Sequence, residues 1–292
     1  MTRAVSLWRN KKTGAVILDA ATLDRIPYYL LTNPPNNSVT VSANQQAGPI
    51  ILAVSKDGPC EVESLIAQRT GIASVGLVIQ DGNPQGLPLM NNPCHIDTIF
   101  GSGQQPLALP EALFLPEGHA LSAFISDLSA ASNVVRLGAD TSRLRKPVLD
   151  PSGALARLAV MRRQYISIPY FYTFDTGSIE LTASTAGSGN MSIAADHNFE
   201  IHAIAAVSTG TFSISIVNQS TGDSLITAPS GQNYEVPNAL ICGSNTFPFK
   251  LHEPWMIGAG QKIVVSMTDT SAATNTVYLT LIGKAYRTGE VR

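Results

Sequence analysis

The sequence Asp127-Leu-Ser-Ala-Ala-Ser-Asn133 returns 142 residues later as Asp269-Thr-Ser-Ala-Ala-Thr-Asn275. Six of the seven positions are identical or exchange serine for threonine. Each block follows a segment in which apolar and polar residues alternate and precedes another, so we interpret it as the link between two β-strands. The pair therefore indicates that a segment of β-structure occurs twice in the chain, as an internal repeat.

Two more pairs of segments keep the same spacing. Ile26-Pro-Tyr-Tyr29 recurs as Ile168-Pro-Tyr-Phe171, a sequence that we expect to open a strand, with the aromatics covering the edge of the core. Near the end of each half, Pro106, Leu109, Glu111 and Gly118 match Pro248, Leu251, Glu253 and Gly260. Between these anchors the register drifts, and GLVIQDGN (76–83) aligns best with SISIVNQSTGD (213–223). Three separate blocks at one offset indicate the duplication of a whole domain.

Short strands and turn residues decide the fold class of each copy. TFSISIVN (211–218) alternates strictly and TVYLTLIG (276–283) nearly so, as half-buried strands do. Breaks such as DGNPQG (81–86) and STGD (220–223) supply turn residues. This spacing predicts an all-β protein of two tandem antiparallel β-sandwich domains of jelly-roll type. Two copies are too few for a propeller, which needs about four or more.

The repeat divides the chain into four parts. These are an extended N-terminal arm (1–25), the first sandwich domain (26–142), a basic connector (143–167) and the second sandwich domain (168–292). In the connector, Pro151-Ser152 followed by GALARLAVMRRQ (153–164) favours one short helix, because its Leu and Ala residues can share a helical face.

Composition argues against several classes of protein. Hydrophobic residues make up 44% of the 292 residues, so the chain is not disordered by composition. Charged residues reach only 14%, which leaves Ser, Thr, Asn, Gln and Gly to form a polar surface suited to strands and turns. A net charge of −2 gives no reason to expect nucleic-acid binding. The longest apolar runs are far shorter than the ~20 residues of a membrane span, and the N-terminus lacks the apolar core of a signal peptide.

The three cysteines, Cys60, Cys94 and Cys242, form no CxxC pair. An odd number without such a pair is typical of reduced, mostly buried thiols in a protein made in a reducing compartment. Cys94 and His95 are adjacent residues of metal-binding type, but a structural zinc site needs four ligands. We therefore expect neither a metal nor another cofactor.

Basic residues are concentrated outside the repeats. Residues 1–12 and 143–163 hold 10 of the 19 Lys and Arg residues, whereas the bodies 26–142 and 164–283 each carry a net charge of −6. Two interpretations stay open: solvated linkers, or basic segments that lie on acidic surfaces of neighbouring subunits and set the register between them. Nucleic-acid binding ranks third, because ten scattered basic residues without interleaved aromatics fall short of a groove that follows phosphates. On the second interpretation the partner-binding candidates are Arg3, Arg9, Lys11, Lys12, Arg143, Arg145, Lys146, Arg157, Arg162 and Arg163.

The repeated Asp-x-Ser-Ala-Ala blocks have two interpretations. In a turn, Asp127 and Asp269 accept backbone N–H groups, and Asn133 and Asn275 tolerate a left-handed backbone. A Ca²⁺ loop needs about six oxygen ligands, and a single carboxylate in each block falls short of that. The composition therefore favours the turn.

No catalytic signature is present. The sequence lacks GxxxxGK[ST], GxSxG and HExxH, has no GxGxxG after a strand, and its five His residues are dispersed. We therefore predict that the protein is not an enzyme. Acids brought together only by folding would leave no such signature, so a hydrolase stays as a counter-hypothesis. Glu61 and Glu63 share one face of a strand, and we expect both at the surface.

Tandem sandwiches, an N-terminal arm, low charge and abundant Ser, Thr, Asn and Gly resemble virion structural proteins of tailed bacteriophages. The strand endings SDLSAASN (126–133) and TDTSAATN (268–275), each followed by a strand and a glycine, are similar to those of phage capsid-associated and collar sandwiches. The resemblance covers residues 26–287 and includes no diagnostic motif.

The resemblance implies a role in assembly. The chain would bind capsid, portal or neck subunits and stabilise the particle, as a decoration or cement protein or as a head–tail collar component. It would occur as a homo-oligomer or in many copies, in the virion after synthesis in the host cytoplasm, with no membrane or nucleic-acid partner. The alternative is a carbohydrate- or receptor-binding module of a phage fibre or spike, which would use Tyr28, Tyr170 and Trp255 as exposed aromatics.

Overall fold

The structure, a computed structural model, describes residues 7–9, 16–18, 24–31, 38–54, 59–80, 86–145, 167–226, 235–244 and 247–287. Two short strands, Leu7–Arg9 (β1) and Val16–Leu18 (β2), pair with each other antiparallel near the N-terminus. Most of the described chain forms two β-sandwiches, which we call the first lobe (24–145) and the second lobe (167–287). No helix among the described residues is long and apolar enough to cross a membrane.

The first lobe packs two antiparallel sheets against each other. Its strands are Asp24–Leu31 (β3), Val39–Val41 (β4), Gln46–Ala53 (β5), Cys60–Arg69 (β6), Ala73–Gln80 (β7), Leu87–Pro88 (β8), Cys94–His95 (β9), Leu107–Leu115 (β10), Ala120–Asp127 (β11) and Asn133–Arg145 (β12). The β12 sheet has the order β10-β6-β12-β3, with β4 also paired to β12. The β11 sheet has the order β5-β11-β7-β8, with β9 also paired to β7. One turn of helix, Ile96–Ile99 (α1), follows β9.

The second lobe repeats this arrangement. Its strands are Ser167–Thr173 (β13), Ile179–Leu181 (β14), Ala186–Ser192 (β15), His197–Ser208 (β16), Phe212–Asn218 (β17), Val236–Pro237 (β18), Phe249–Ile257 (β19), Lys262–Asp269 (β20) and Asn275–Arg287 (β21). The β21 sheet has the order β13-β21-β16-β19, with β14 also paired to β21. The β20 sheet has the order β15-β20-β17-β18, and one turn of helix, Asn238–Ile241 (α2), follows β18.

Alternating burial explains why these segments pack as sandwiches. Along β7 the side chains of Val75 and Leu77 are buried, while the residues between them are half-buried. Strand β20 shows the same pattern with Val265 and Met267. Full burial of one such aliphatic side chain contributes about 1.5–3 kcal/mol to folding. The predicted all-β class with two tandem antiparallel sandwiches is confirmed.

The lobes are equivalent strand by strand. The ladders of β3 with β12 and of β13 with β21 keep the offset of 142, so Tyr28 corresponds to Tyr170. The offset is 140 in β4, falls to 139 at the register shift within β5, stays at 139 in β6 and β7, and returns to 142 at β9. The alignment of GLVIQDGN with SISIVNQSTGD is wrong by two residues, since the ladders equate Gly76 with Ser215. A slip of two residues keeps every side chain on the same face of the sheet, so the apolar pattern could not reveal it.

The repeated Asp-x-Ser-Ala-Ala blocks form the predicted turns. Asp127 Oδ2 accepts the Asn44 N–H at 2.9 Å and the Ser129 N–H at 3.1 Å. In the second lobe, Asp269 Oδ2 accepts the Ser184 N–H at 2.9 Å. Partial burial raises the pKa of Asp127, but its hydrogen bonds outweigh this and hold the pKa below its ordinary value. Each aspartate therefore connects the turn to a second loop of its own lobe.

The two asparagines that end these blocks connect the turn to a third loop. Asn133 Oδ1 accepts the Gly71 N–H at 2.7 Å, and Asn275 Oδ1 accepts the Gly210 N–H at 2.9 Å. Both asparagine side chains are buried. Because the same bond occurs in both lobes, it belongs to the repeated unit.

The expectation of a left-handed backbone at these asparagines is wrong. Asn133 and Asn275 begin β12 and β21 and are already extended in the strand ladders. The left-handed conformation falls instead on Ala272 (φ 57°) within the second block, and outside the blocks on Asn44 (φ 55°) and Ser184 (φ 53°), the residues whose N–H groups bind the aspartates. The chain reverses at those two positions, and the strained backbone is needed there.

Candidate assembly interface

Residues 89–91 of the first lobe extend the β21 sheet of the second lobe. The Phe171 N–H donates to the Leu89 carbonyl at 2.9 Å, and Met90 forms a parallel bridge to Phe171. The Asn91 N–H donates to the Phe171 carbonyl at 3.4 Å. These bonds satisfy backbone groups that an edge strand otherwise leaves open. The first lobe therefore covers the outer edge of β13.

The side chain of Asn91 fixes the register of this junction. Its Oδ1 accepts the Thr173 N–H at 2.9 Å, and its Nδ2 donates to the Thr173 carbonyl at 2.9 Å. The neighbouring Asn92 Nδ2 lies 3.3 Å from the carbonyls of both Phe174 and Asp175. A side-chain amide that satisfies both backbone groups of one residue tolerates no slip along the strand.

Helix α1 packs on the outer face of the β21 sheet. Thr98 Oγ1 donates to the His95 carbonyl at 2.8 Å and lies 2.6 Å from Thr280 Oγ1. A hydroxyl has one hydrogen, so Thr280 is the donor of the second bond. The His95 ring contacts Tyr278, with 4.6 Å between the centroids. The first lobe's apolar core is continued by four side chains of the second lobe, namely Phe171, Ala203, Ala205 and Ile282.

His95 is neutral in this contact. Burial lowers its pKa to about 4, although the Asp97 carboxylate acts in the opposite direction. Its Nδ1 accepts the Asp97 N–H at 3.2 Å, which requires the unprotonated nitrogen. Arg69 binds both carboxylate oxygens of Asp97 and also opposes a positive charge on the ring. A cleft of about 290 Å³ between the lobes is lined by His95 and Tyr278.

The lobes join through unlike surfaces. The first lobe contributes the end of its sandwich that carries residues 89–98, and the second lobe contributes the edge and outer face of its β21 sheet. Because the lobes are equivalent, each also carries a version of the surface that the other uses. These versions are the β12 sheet of the first lobe and the α2 end of the second lobe. Such a head-to-tail contact is heterologous and leaves one surface of each kind outside it.

On the first lobe, the surface of the β12 sheet that is equivalent to the covered surface of the β21 sheet is exposed. Tyr29 and Leu31 are 58% and 54% exposed, whereas their equivalents Phe171 and Thr173 are buried against the first lobe. Within the described residues, β3 is an edge strand that pairs with β12 alone. This sheet therefore presents the same edge that the β21 sheet has covered.

The version on the α2 end is exposed as well. Leu240 is 63% exposed, whereas its equivalent Thr98 is completely buried. Ile241 and Cys242 are half-buried, whereas Ile99 and Phe100 are buried at the equivalent positions. Phe247 nearby is 69% exposed. Clustered exposed apolar side chains of this kind mark interaction surfaces.

The ten basic candidates lie mostly outside the described residues. Arg9 is in β1 and Arg145 is at the end of β12, and only their strand positions are described. Arg143 is half-buried in β12, opposite Ile26 and Cys60. The other seven, together with the expected connector helix, lie outside the described residues: Arg3, Lys11, Lys12, Lys146, Arg157, Arg162 and Arg163. A partner-binding role of these residues stays a prediction.

The aromatic residues considered for glycan binding do not form an exposed platform. Tyr170 is buried in the core of the second lobe, and Trp255 is half-buried against the same core. Tyr28 is half-buried against the core of the first lobe. The exposed aromatic of the repeated Ile-Pro-Tyr-aromatic segment is Tyr29, on the opposite face of the strand.

The thiols match the expectation of reduced, mostly buried cysteines. Cys60 and Cys94 are buried and Cys242 is half-buried, and all three are free. Burial raises the pKa of each of these thiols to about 12, so they stay protonated at neutral pH. Among the described residues, no group of three His, Cys, Asp or Glu side chains is placed to hold a metal.

One chain of hydrogen-bonded side chains, from the exposed Asp196 to the buried His197 and Tyr172, has the order of a hydrolase triad. Asp196 Oδ1 lies 2.7 Å from His197 Nδ1, and His197 Nε2 lies 2.8 Å from the Tyr172 hydroxyl. Tyr172 and His197 are buried, and the hydroxyl also accepts the Ala194 N–H. A hydroxyl without access to solvent meets no substrate, so this network stabilises the lobe. The expectation that Glu61 is at the surface is wrong, because it lies buried in the β6 ladder; Glu63 is exposed as expected.

Comparisons with known proteins give distant similarities of structure. No protein-family model matches the chain, and no curated protein matches it in sequence. The chain is similar to the major capsid protein P2 of bacteriophage PM2, with 11% identity, a TM-score of 0.42, and coverage of 91% of this chain and 100% of that one. It is also similar to a Sulfolobus turreted icosahedral virus structure, with 9% identity, a TM-score of 0.26, and coverage of 87% and 61%.

Proposed function

We propose that the chain is a non-enzymatic structural protein of a virus particle, which joins copies of itself and other virion proteins into a multi-copy assembly. One observation carries the proposal: the contact between the lobes is head-to-tail, and the equivalent surfaces on the far sides of both lobes are exposed. A chain that carries both halves of one contact can bind its own kind.

Repetition of a head-to-tail contact has a defined geometric outcome. It closes into a ring when the rotation between neighbouring lobes divides a full turn, and otherwise it extends into a filament. Three chains in a ring would place six similar lobes around one axis. Six similar neighbours around an axis tile a flat shell, which suits a protein of a particle wall.

The charge distribution supports binding to further virion proteins. The two bodies each carry a net charge of −6, while residues 1–12 and 143–163 carry ten basic residues. Complementary fields of this kind set register and partner choice between subunits. We therefore propose a decoration, cement or collar position in the particle, with the basic segments binding acidic capsid or neck surfaces.

The first test is the mass of the protein in solution. Sedimentation velocity over a range of concentrations should show species heavier than the 30.9 kDa chain, with closed rings giving one discrete mass. A chain that stays monomeric at every concentration would overturn the self-assembly part of the proposal.

The second test is binding to particles. Purified protein is mixed with particles that lack it, and co-sedimentation is measured at low and high salt. Binding through the basic segments should weaken as salt rises, because ionic screening reduces the attraction between charged surfaces. Absence of binding at every salt concentration would overturn the decoration, cement and collar assignment.

A further inference from the structure

We propose that Leu240 of one copy docks over Gly138 and Leu31 of a second copy, as the counterpart between chains of the Thr98–Thr280 pair within the chain. This inference rests on the proposed function and adds the surface, the partner and the residues that decide specificity. The partner is a second copy of this chain. The template for this contact is the one already formed within the chain, where α1 packs on the β21 sheet.

Within the chain, the template is polar at its centre. Thr98 on α1 faces Thr280 on β21 at 2.6 Å, and both side chains are buried. Thr280 lies opposite Thr173 in the ladder of β13 with β21, and Thr173 binds Asn91 through its backbone. The centre of the template is therefore a set of threonines held by hydrogen bonds.

On the two exposed surfaces, the residues equivalent to the template threonines are of a different type, both on the helix and on the sheet. Leu240 replaces Thr98, Gly138 replaces Thr280 and Leu31 replaces Thr173. A large apolar side chain thus stands where the helix end is exposed, and a glycine stands on the sheet that it would meet. Leu31 and Leu240 are 54% and 63% exposed, which leaves both available for contact. Gly138 is itself buried, and Leu31 Cδ2 lies 3.1 Å from where its Cβ would be, so Leu31 covers the glycine and presents the apolar surface that Leu240 would meet.

The change in polarity fits the different demands of the two contacts. The lobes of one chain are tethered, so their effective concentration is high, and the contact tolerates a polar centre among its apolar side chains. Two separate chains lose translational and rotational freedom when they associate, and apolar side chains buried in a pocket offset that free-energy cost. Leu240 and Leu31 are anchors of that kind.

The same substitutions also exclude wrong pairings. If α1 docked on the β12 sheet of another copy, the Thr98 hydroxyl would face Gly138 and find no hydroxyl to bind. If α2 docked on a β21 sheet, Leu240 would face the Thr280 hydroxyl and bury it without a partner. The second mismatch buries a hydroxyl without a partner. In the first, the Thr98 hydroxyl keeps its bond to the His95 carbonyl and loses only the donor that Thr280 supplies, so the second pairing is disfavoured more strongly. The lobes should therefore alternate around the assembly.

A pair of reciprocal substitutions tests the contact. Leu240→Asp should raise the concentration at which the assembly half-dissociates by about thirtyfold or more, because it removes a central apolar anchor. Leu240→Thr and Gly138→Thr should each weaken assembly by about tenfold. The double variant should assemble more strongly than Leu240→Thr alone and more weakly than the unmodified chain, because it rebuilds the threonine pair of the template but lacks the apolar anchor. Sedimentation velocity measures all four.

Folding and surface hydrophobicity are controlled separately. A Cβ at Gly138 would lie 3.1 Å from Leu31 Cδ2, the end of an exposed side chain that can move aside, and thermal unfolding checks that the variant folds. If Gly138→Thr does not fold, Leu31→Asp replaces it on the same sheet. The matched controls are Ile51→Asn and Phe124→Ser, exposed apolar positions of the β11 sheet where the second lobe has Asn190 and Ser266. They should assemble normally.

The outcomes separate this inference from the proposed function. If the chain assembles and Leu240→Asp and Leu31→Asp assemble equally well, this surface is not the contact, while a structural role stands. If the controls weaken assembly as much as Leu240→Asp, general hydrophobicity explains the effect and the inference fails. If the unmodified chain is monomeric and binds no particles, both the inference and the proposed function fail.

Discussion

Thr280 donates a hydrogen bond to Thr98 across 2.6 Å, although the two residues are 182 positions apart in the sequence. Both side chains are buried, and the bond joins α1 of the first lobe to the central strand of the β21 sheet. Its integrity therefore depends on the two lobes staying docked.

Replacing Thr280 with valine should destabilise the docked lobes. Valine keeps the shape of the side chain but leaves the Thr98 oxygen without its donor, so we expect the free energy of unfolding to fall by about 1–2 kcal/mol. Urea denaturation measures the change. Thr40→Val at an exposed position of β4 is the control, with an expected change within about 0.5 kcal/mol. Equal losses in the two variants would show that the bond between the lobes contributes nothing.

The buried asparagines of the repeated turns should matter equally in both lobes. Asn133→Ala and Asn275→Ala each remove an oxygen that accepts a backbone N–H, from Gly71 and Gly210 respectively. We expect each to lower the free energy of unfolding by about 1–2 kcal/mol, because a half-buried backbone N–H loses its acceptor. Asn190→Ala on an exposed strand position is the control. A large effect in one lobe alone would argue against the equivalence of the turns.

Acid should weaken the contact between the lobes through His95. Burial lowers its pKa in the folded state to about 4 from an ordinary 6.5, so the unfolded chain binds more protons between these pH values. Stability contributed by the neutral ring is complete above about pH 6.5 and falls as the pH drops towards 4, by about 3 kcal/mol in total.

The variant His95→Gln isolates this effect. Glutamine retains an acceptor and does not titrate, so its stability should fall less between pH 7 and pH 4.5 than that of the unmodified chain. Thermal unfolding at several pH values in that range supplies the comparison, and the two proteins differ at no other histidine. Parallel pH profiles would show that His95 does not carry the acid sensitivity.

Glycines after the two helices should be irreplaceable. A Cβ on Gly101 would lie 2.2 Å from the Gln105 carbonyl oxygen, and one on Gly243 would lie 2.0 Å from that of Phe247. Each contact is with backbone, so Gly101→Ala and Gly243→Ala should each cost at least about 1–3 kcal/mol of stability. Gly103→Ala is the matched control, since nothing lies within 4 Å of the added carbon. Normal stability of Gly101→Ala in urea would contradict the close approach.

The sequence was sufficient to predict the duplicated sandwiches because the repeated residues are those on which each lobe depends. Asp127 and Asn133 bind backbone groups within their own lobe, and the Ile-Pro-Tyr segments lie in equivalent strands. Identical local requirements keep identical residues in both copies. The alternation along the strands added the fold class, because it reports which face meets the core.

The contact between the lobes could not be predicted in the same way. Its residues differ from their equivalents, as Thr98 differs from Leu240 and Thr280 from Gly138, because one version is buried within the chain and the other is exposed. A search for repeats passes over positions where the copies have diverged. When the lobes are superimposed, these positions identify the contact, because residues that differ between equivalent positions mark surfaces with different partners.

The covered edge of β13 has a consequence for protein synthesis. The first lobe leaves the ribosome before the second lobe is synthesised. During that time Leu89 and Asn91 lack β13, the strand that they bind in the finished chain, and the edge of β3 on the same lobe is also open. Neighbouring nascent chains on one messenger RNA are close enough to cross-pair at this stage, as incomplete domains tend to do. Thr280, which donates a hydrogen bond to Thr98, belongs to the second lobe and is therefore absent until synthesis of the chain is nearly finished.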